Sequence, residues 1–142
     1  MKKNGNKPFP NSLRWALLPA ILITLGSCKG PVLPGDEQLS NMNRIPVIFP
    51  DYTDITIPGN IAPFNFEIKE DGERFISVLE GDKGSVMKLL ARSKQFIISP
   101  KKWSRFLEEN KGSQFTLKVF GMAGNQWTRY EPFVIRVAKE EI

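Results

Sequence analysis

The sequence predicts an all-β protein, an antiparallel β-sandwich of the immunoglobulin or fibronectin type with one short connecting helix. The first observation is a series of about seven short strand-like segments at intervals of about ten residues. The second is the turn chemistry between them, such as Asp71-Gly72 and the polar "GDKG" run at Gly81–Gly84. The third is a single segment, 99–112, in which the apolar spacing becomes helical.

Several of the strand candidates alternate apolar and polar residues, which places every second side chain on a buried face, while PVIFP is a short apolar run bounded by prolines. In chain order they are PVIFP, DYTDITIP, FNFEIK, RFISVLEG, SVMKLLAR, KQFIIS, QFTLKVFG and WTRYEPFVIRVA. The side chains expected to face the core include Phe64, Phe66, Ile68, Phe115, Leu117, Val119, Phe133, Ile135 and Val137. The helix, "PKKWSRFLEENKG", follows Ser99, which is a favourable N-cap. Its apolar stripe of Trp103, Phe106 and Leu107 is expected to pack on the sheet.

The stretch "TIPGNIAP" interrupts the alternation near the start of the folded part. Pro58 and Pro63 lack the backbone donor that a strand inside a sheet requires. We therefore expect the chain to cross from one sheet to the other here, at a sheet edge. Gly59 is expected to supply an unusual backbone angle at the bend.

Composition excludes several kinds of activity. The chain of 142 residues has no histidine and one cysteine, so it builds no histidine relay, no usual His/Cys zinc site and no internal disulfide. No spacing selects a pair of carboxylates for acid/base catalysis, and neither "DYTD" nor "EDGE" resembles a calcium loop. We expect no enzymatic activity and no cofactor.

The net charge of +5 lies almost wholly in the first 27 residues, which contain four basic residues and no acid. The remainder has 16 basic against 15 acidic residues. Such a balance gives no electrostatic footprint for DNA or RNA, so no nucleic-acid partner is expected.

The first 28 residues have the layout of a secretory leader. A basic region up to Arg14 precedes an apolar run, Trp15–Leu25, which is too short to span a bilayer as a helix. The end, "LGSC", resembles the lipobox of bacterial lipoproteins. That resemblance implies that Cys28 carries a lipid and becomes the mature N-terminus. The alternative is an ordinary signal peptide followed by an unrelated cysteine.

Lys29 is not the aspartate that commonly retains lipoproteins at the inner membrane, so the resemblance favours the outer membrane, in either leaflet. Residues 28–45 contain prolines, glycines and small polar residues without a sustained period, and we expect a lipidated flexible tether there. The domain organisation expected is a signal peptide at 1–27, this tether, and a sandwich module at 46–142.

The run "IFPDYTDITIPGNIAPFNFEI" at Ile48–Ile68, with "EPFVIRV" near the end, resembles the N-terminal module of a family of Gram-negative secreted or membrane-anchored proteins. In that family the module precedes a TolB-like β-propeller of PD40 repeats. The resemblance covers about residues 46–142 and implies a module that stands off a propeller. The present sequence contains no propeller and no CxxCH element.

Three functional hypotheses follow from these patterns. The first is a non-enzymatic membrane-anchored lipoprotein whose module mediates protein contacts. The second is a carbohydrate-binding surface lipoprotein of a polysaccharide-uptake system, in which Trp127 and Tyr130 form an aromatic platform; the alternative role for both rings is packing. The third is a truncated fragment without independent function.

Overall fold

The computed structural model describes Gly5 and residues 30–142. The predictions for the leader and for lipidation of Cys28 lie outside these residues. Within them, the chain forms ten strands, one α-helix and one 3-10 turn at Asp36–Gln38. The strands are β1 (Leu39–Met42), β2 (Ile48–Phe49), β3 (Thr56–Ile57), β4 (Phe66–Ile68), β5 (Arg74–Gly81), β6 (Val86–Leu90), β7 (Gln95–Phe96), β8 (Gln114–Ala123), β9 (Gln126–Tyr130) and β10 (Phe133–Val137). The helix α1 spans Pro100–Asn110.

The larger sheet has seven strands and is organised around β8. Antiparallel β5 pairs along nearly the whole of one side of β8, and β6 pairs with the far side of β5. The other side of β8 is shared, because β10 pairs with 114–117 and β9 pairs with 120–123. Two parallel pairs complete the sheet, β3 beside β10 and β1 beside β9.

The second sheet has three strands in the order β2-β4-β7, all antiparallel. The main core joins side chains of both sheets and of α1 in one cluster. The inward-facing residues expected from the alternation, in β4, β8 and β10 and at Phe64, are all buried. The predicted fold class is confirmed: the described residues form an all-β sandwich, and α1 connects β7 of the small sheet to β8 of the large one.

The crossover expected at "TIPGNIAP" is confirmed. β3 lies at an edge of the seven-stranded sheet, and β4 belongs to the three-stranded sheet, with both prolines in the connection between them. The role expected for Gly59 is wrong, because its φ is outside the left-handed region. A Cβ there would instead lie 3.3 Å from Lys111 Cε and 3.4 Å from the carbonyl oxygen of Ala138. The glycine is therefore suited to close approach of the chain rather than to a special angle.

The last strand candidate, "WTRYEPFVIRVA", is two strands rather than one. It divides at Glu131-Pro132 into β9 and β10, which pair with opposite ends of the same side of β8. Proline has no backbone donor for a ladder, so the chain bends at this point. The phase of the buried residues shifts at this point, since Tyr130 and Phe133 are three residues apart and both are buried.

The expectation of a flexible tether up to residue 45 is wrong for Leu39–Met42, which form β1 in parallel register with β9. Leu33 and Leu39 pack against Ile76, Val78 and Phe120 on the outer face of the large sheet. The ordered domain therefore includes residues before 46. This strand was not predicted from the sequence, because its side chains are mostly exposed and do not alternate between buried and exposed. Backbone pairing with β9 places it in the sheet.

The helix forms where its apolar spacing predicted. Trp103, Phe106 and Leu107 are buried in the main core, and Pro100 occupies the first helical position. Ser99 has the extended backbone of an N-cap, but its side chain makes no capping hydrogen bond. Among the described residues, no helix combines the length and the apolar character needed to cross a membrane.

Candidate functional site: the groove between β6 and α1

The described residues contain no group of three or more Cys, Asp or Glu side chains arranged to hold a metal ion. The most buried carboxylate, Glu70, is 7% exposed and has a structural partner. Arg44 donates to it through two nitrogens, at 2.6 and 2.7 Å, and the Val47 N–H donates to it at 2.7 Å. The bond from Arg44 is the main cause that lowers the pKa of Glu70. This pair fixes the segment before β2 to the loop before β5.

The aromatic residues considered for sugar binding do not meet on one face. Tyr130 is buried in the main core, where the guanidinium carbon of Arg44 lies 5.6 Å from its ring centre. Burial, and then the carboxylate of Glu70, raises the pKa of the Tyr130 hydroxyl. Trp127 is half-buried in the separate cluster on the outer face of the large sheet. The structure therefore assigns both rings to packing and does not form the platform.

A groove of about 340 Å³ lies between β6 and α1. Residues 85–88 form its strand side, and Lys102, Arg105, Phe106 and Glu109 form its helix side. Phe106 belongs to the buried stripe of α1, so the groove follows the line where the helix meets the edge of the sheet. A strand beside a helix is an arrangement that can accommodate an extended chain.

Asn110 fixes the end of α1 against the turn between β5 and β6. Its Nδ2 donates to Ser85 Oγ at 2.7 Å and to the Phe106 carbonyl at 2.8 Å. A Cβ at Gly81 would lie 2.0 Å from Asn110 Oδ1, so only glycine allows this approach. The two walls of the groove are thus held at a defined separation by a buried polar contact.

The strand wall has a free backbone edge. In the β5–β6 ladder, the Ala91 N–H donates to the Phe75 carbonyl at 3.0 Å and the Gly81 N–H donates to the Ser85 carbonyl at 2.8 Å. Paired residues in an antiparallel ladder alternate between hydrogen-bonded and non-hydrogen-bonded pairs. The backbone N–H and C=O groups of the odd-numbered residues of β6 therefore point toward β5. The N–H and C=O groups of Val86, Lys88 and Leu90 consequently point away from the sheet, and among the described residues β6 has no second neighbour.

The side chains along this edge are open to solvent. Val86 is 58% exposed and Leu90 is 51% exposed, and both belong to the outer face of the large sheet. Lys88 lies between them and is also exposed. Exposed strand edges are usually short, bulged, blocked by proline or protected by a charged side chain such as lysine, since a free row of donors and acceptors pairs readily with another chain. Lys88 is the one feature of this kind in β6; its five residues contain no proline and no bulge.

The groove is basic. Three cations, Lys88, Lys102 and Arg105, line it together with one acid, Glu109. Arg105 and Glu109 form an ion pair at 3.1 Å, whereas Lys88 and Lys102 form none with the residues that the structure describes. Lys88 shares the outer face of the sheet with Val86 and Leu90, so Lys102 is the cation on the helix side that, within the described residues, is free to meet an acidic ligand.

A second open surface lies on the outer face of the small sheet. Phe49 is 64% exposed there, beside exposed Val47 and Ile97. Lys69 lies over the Phe49 ring, with its Nζ 5.9 Å from the ring centre. The surface is apolar, and nothing within residues 30–142 shows what would cover it.

Sequence reasoning did not find the β6–α1 groove. Of the lysines in and beside the helix, Lys101 and Lys102 are exposed, while Lys111 is half-buried and paired with Glu141. The segment "SVMKLLAR" was correctly predicted as a strand, but the sequence does not show that this strand lies at an edge. That follows from the pairing, because β5 lies between β6 and β8 and β6 has no second neighbour among the described residues. Comparisons of the chain with models of protein families, with curated proteins and with solved structures found no match.

Proposed function

We propose that this protein is a non-enzymatic lipoprotein, anchored to the outer membrane through Cys28, whose sandwich domain contacts a protein partner at the β6–α1 groove. The observation that supports a protein contact is the unpaired edge of β6 beside α1. Backbone donors and acceptors in a row recognise another backbone, because main-chain bonds supply affinity without a specific pocket. A lipobox-like "LGSC" supports the anchor, and Lys29 after the cysteine supports the outer membrane.

The proposed anchor keeps the domain close to the bilayer. Leu39, the first residue of β1, lies eleven positions after Cys28. A fully extended chain advances at most about 3.6 Å per residue, so β1 can lie no further than about 40 Å from a lipidated cysteine. A partner would therefore be met near the membrane surface.

The anchor is tested with Cys28→Ala in the full chain. We expect the variant to leave the membrane fraction, because lipid chains on Cys28 supply the proposed attachment. Membrane and soluble fractions are compared after a carbonate wash, and circular dichroism checks that the variant is folded. A variant that stays in the washed membranes would contradict the lipoprotein proposal.

The contact surface is tested by site-specific photo-crosslinking in intact cells. A photoreactive residue replaces Lys88 at the groove and, as a matched control, Asn125 at the exposed turn between β8 and β9. We expect a discrete adduct from position 88 that is lost when Lys102→Glu is added, and none from position 125. Equal labelling at both positions would place the contact elsewhere.

The carbohydrate-binding hypothesis is not carried forward as a second proposal. Trp127 and Tyr130 lie on different faces of the large sheet, and Tyr130 is buried. Two such rings offer no shared face on which a sugar could stack.

A further inference from the structure

We infer that the β6–α1 groove binds an extended, acidic segment of a partner protein, which adds to the large sheet as a new strand beside β6. The inference rests on the proposed function, because it specifies what the contact surface recognises. It goes beyond that proposal by naming the chemistry and the backbone conformation of the ligand.

The backbone argument concerns the length of the free edge. Val86, Lys88 and Leu90 each direct one N–H and one C=O outward, which gives three donors and three acceptors in a row. Within the described chain, none of these six groups has a backbone or side-chain partner across the edge. An extended segment of about five residues is long enough to bond with all of them.

The charge argument selects an acidic ligand. Lys102 and Arg105 project from α1 along one side of the groove, and Lys88 lies on the strand itself. Glu109 forms an ion pair with Arg105 and so neutralises the charge of that cation only. Acidic side chains of a bound segment that point toward α1 would meet Lys102 at an edge that the sheet otherwise leaves open, and basic side chains there would be repelled.

The alternation of a strand makes the ligand pattern more specific. An added strand directs successive side chains to opposite faces of the sheet. On the outer face, its side chains would lie next to Val86 and Leu90, which are exposed and apolar, with Lys88 between them. On the other face, its side chains would point toward α1 and Lys102. The groove therefore fits a segment in which acidic residues alternate with apolar ones.

A second copy of the same chain is a less suitable occupant. If two β6 edges paired antiparallel about their centres, Lys88 of one copy would lie opposite Lys88 of the other. Like charges directly opposite each other destabilise a strand pair. Each copy would also bring its own α1 cations to the same edge.

The experiment uses the full chain, purified in detergent micelles and labelled with ¹⁵N. The probe is a capped peptide of about eight residues in which Glu and Val alternate. One control peptide replaces each Glu with Lys. A second keeps the Glu-Val sequence but carries N-methyl groups on alternate residues, so its charge is unchanged and its edge donors are lost.

Amide hydrogen exchange of β6 distinguishes strand addition from simple charge attraction. The Glu-Val peptide is expected to slow exchange at Val86, Lys88 and Leu90 by about tenfold or more, because their N–H groups become bonded. Met87 and Leu89 already donate to β5 and should change little. Both control peptides should leave all five amides unchanged.

The variant Lys102→Glu is expected to weaken peptide binding by about tenfold, or about 1.4 kcal/mol. The matched control is Lys101→Glu, which reverses a neighbouring exposed charge of α1 that does not line the groove; its effect should stay within about twofold. Both substitutions are at exposed positions of α1, so folding should be retained.

Four results would overturn the inference: no binding of the Glu-Val peptide at about 1 mM, equal binding of the N-methylated or Lys-Val peptide, binding without protection of the three edge amides, or a doubling of the particle mass through β6–β6 pairing. If crosslinking at position 88 succeeds in cells while the Glu-Val peptide fails, the contact surface stands and the ligand class is wrong. If crosslinking at position 88 fails, the proposed function itself fails.

Discussion

Trp103 connects α1 to the large sheet and to the connection between β3 and β4, and replacing it measures how much of the fold depends on these contacts. Its side chain is 0% exposed, and its ring centre lies 4.5 Å from that of Phe64 and 6.2 Å from that of Phe115. Its Nε1–H donates to the Ile61 carbonyl at 2.9 Å. Trp103→Ala therefore creates a cavity and also removes the partner of a carbonyl in the crossover between β3 and β4.

The expected cost of Trp103→Ala is about 4 kcal/mol, because large-to-small changes at buried aromatic residues cost about 3–5 kcal/mol. The lost hydrogen bond adds about 1 kcal/mol at most. Small domains have free energies of unfolding of about 5–15 kcal/mol, so the variant would lose a large fraction of its stability. With a urea dependence of about 1.5 kcal/mol per molar, the unfolding midpoint should fall by about 2.7 M.

The measurement is a urea titration followed by far-ultraviolet circular dichroism, with the parent chain beside the variant. Trp127→Ala is the matched control, since that ring is only half-buried and lies in the smaller outer cluster. It should cost about 1–2 kcal/mol. A loss below about 1 kcal/mol for Trp103→Ala, or a loss no larger than that of the control, would refute the central role of this ring.

The remaining predictions concern the ion pair, the groove and the crossover. The hydrogen bond from Arg44 lowers the pKa of Glu70 in the folded state below its usual 4.5. The ion pair therefore stabilises the fold fully above about pH 4.5, and this stabilisation is lost as the pH falls through the pKa of Glu70 in the folded state. Glu70→Gln should therefore lower the free energy of unfolding by about 1–2 kcal/mol at pH 7. Chemical denaturation should show that this difference between parent and variant disappears in strong acid, and a difference that does not change with pH would contradict a stabilising role of the ionised Glu70. Gly81→Ala should destabilise by about 2 kcal/mol or more, because the new methyl overlaps the amide at the end of α1; an unchanged thermal midpoint would exclude that contact. The double variant Pro58→Ala, Pro63→Ala should lower the free energy of unfolding by about 1 kcal/mol, because the unfolded chain gains conformational freedom; urea denaturation measures this, and equal stability would show that the two prolines do not stabilise the domain in this way.

Local patterns determined most of the elements. Alternation at Phe64, Phe66 and Ile68 identified a strand with one buried face, and those side chains are buried in the core. The change to helical spacing at Trp103, Phe106 and Leu107 identified α1. These signals were readable because each element must bury one face, and the period of its apolar residues follows from its backbone geometry.

Prolines correctly predicted the crossover between the two sheets, whereas the strand boundary at Pro132 was not predicted. Pro58 and Pro63 correctly marked the passage between sheets. Pro132 divides β9 from β10, and the phase of the alternation shifts there, because Tyr130 and Phe133 are three residues apart and both face the core. A missing backbone donor is a local property, whereas the neighbour with which each half pairs is not.

The sequence by itself determined the strand and helix periods, the absence of histidine chemistry and the candidate lipid site at Cys28. Only the tertiary structure decided which strands lie at edges, that β1 joins the sheet, and that Trp127 and Tyr130 lie on different faces. The reason is that the identity of a strand is encoded in its own residues, while its neighbours are set by contacts between residues far apart in the chain. The β6–α1 groove forms because β6 has no neighbour on its second edge within the described residues and Asn110 holds α1 beside it, which brings Lys102 to that edge.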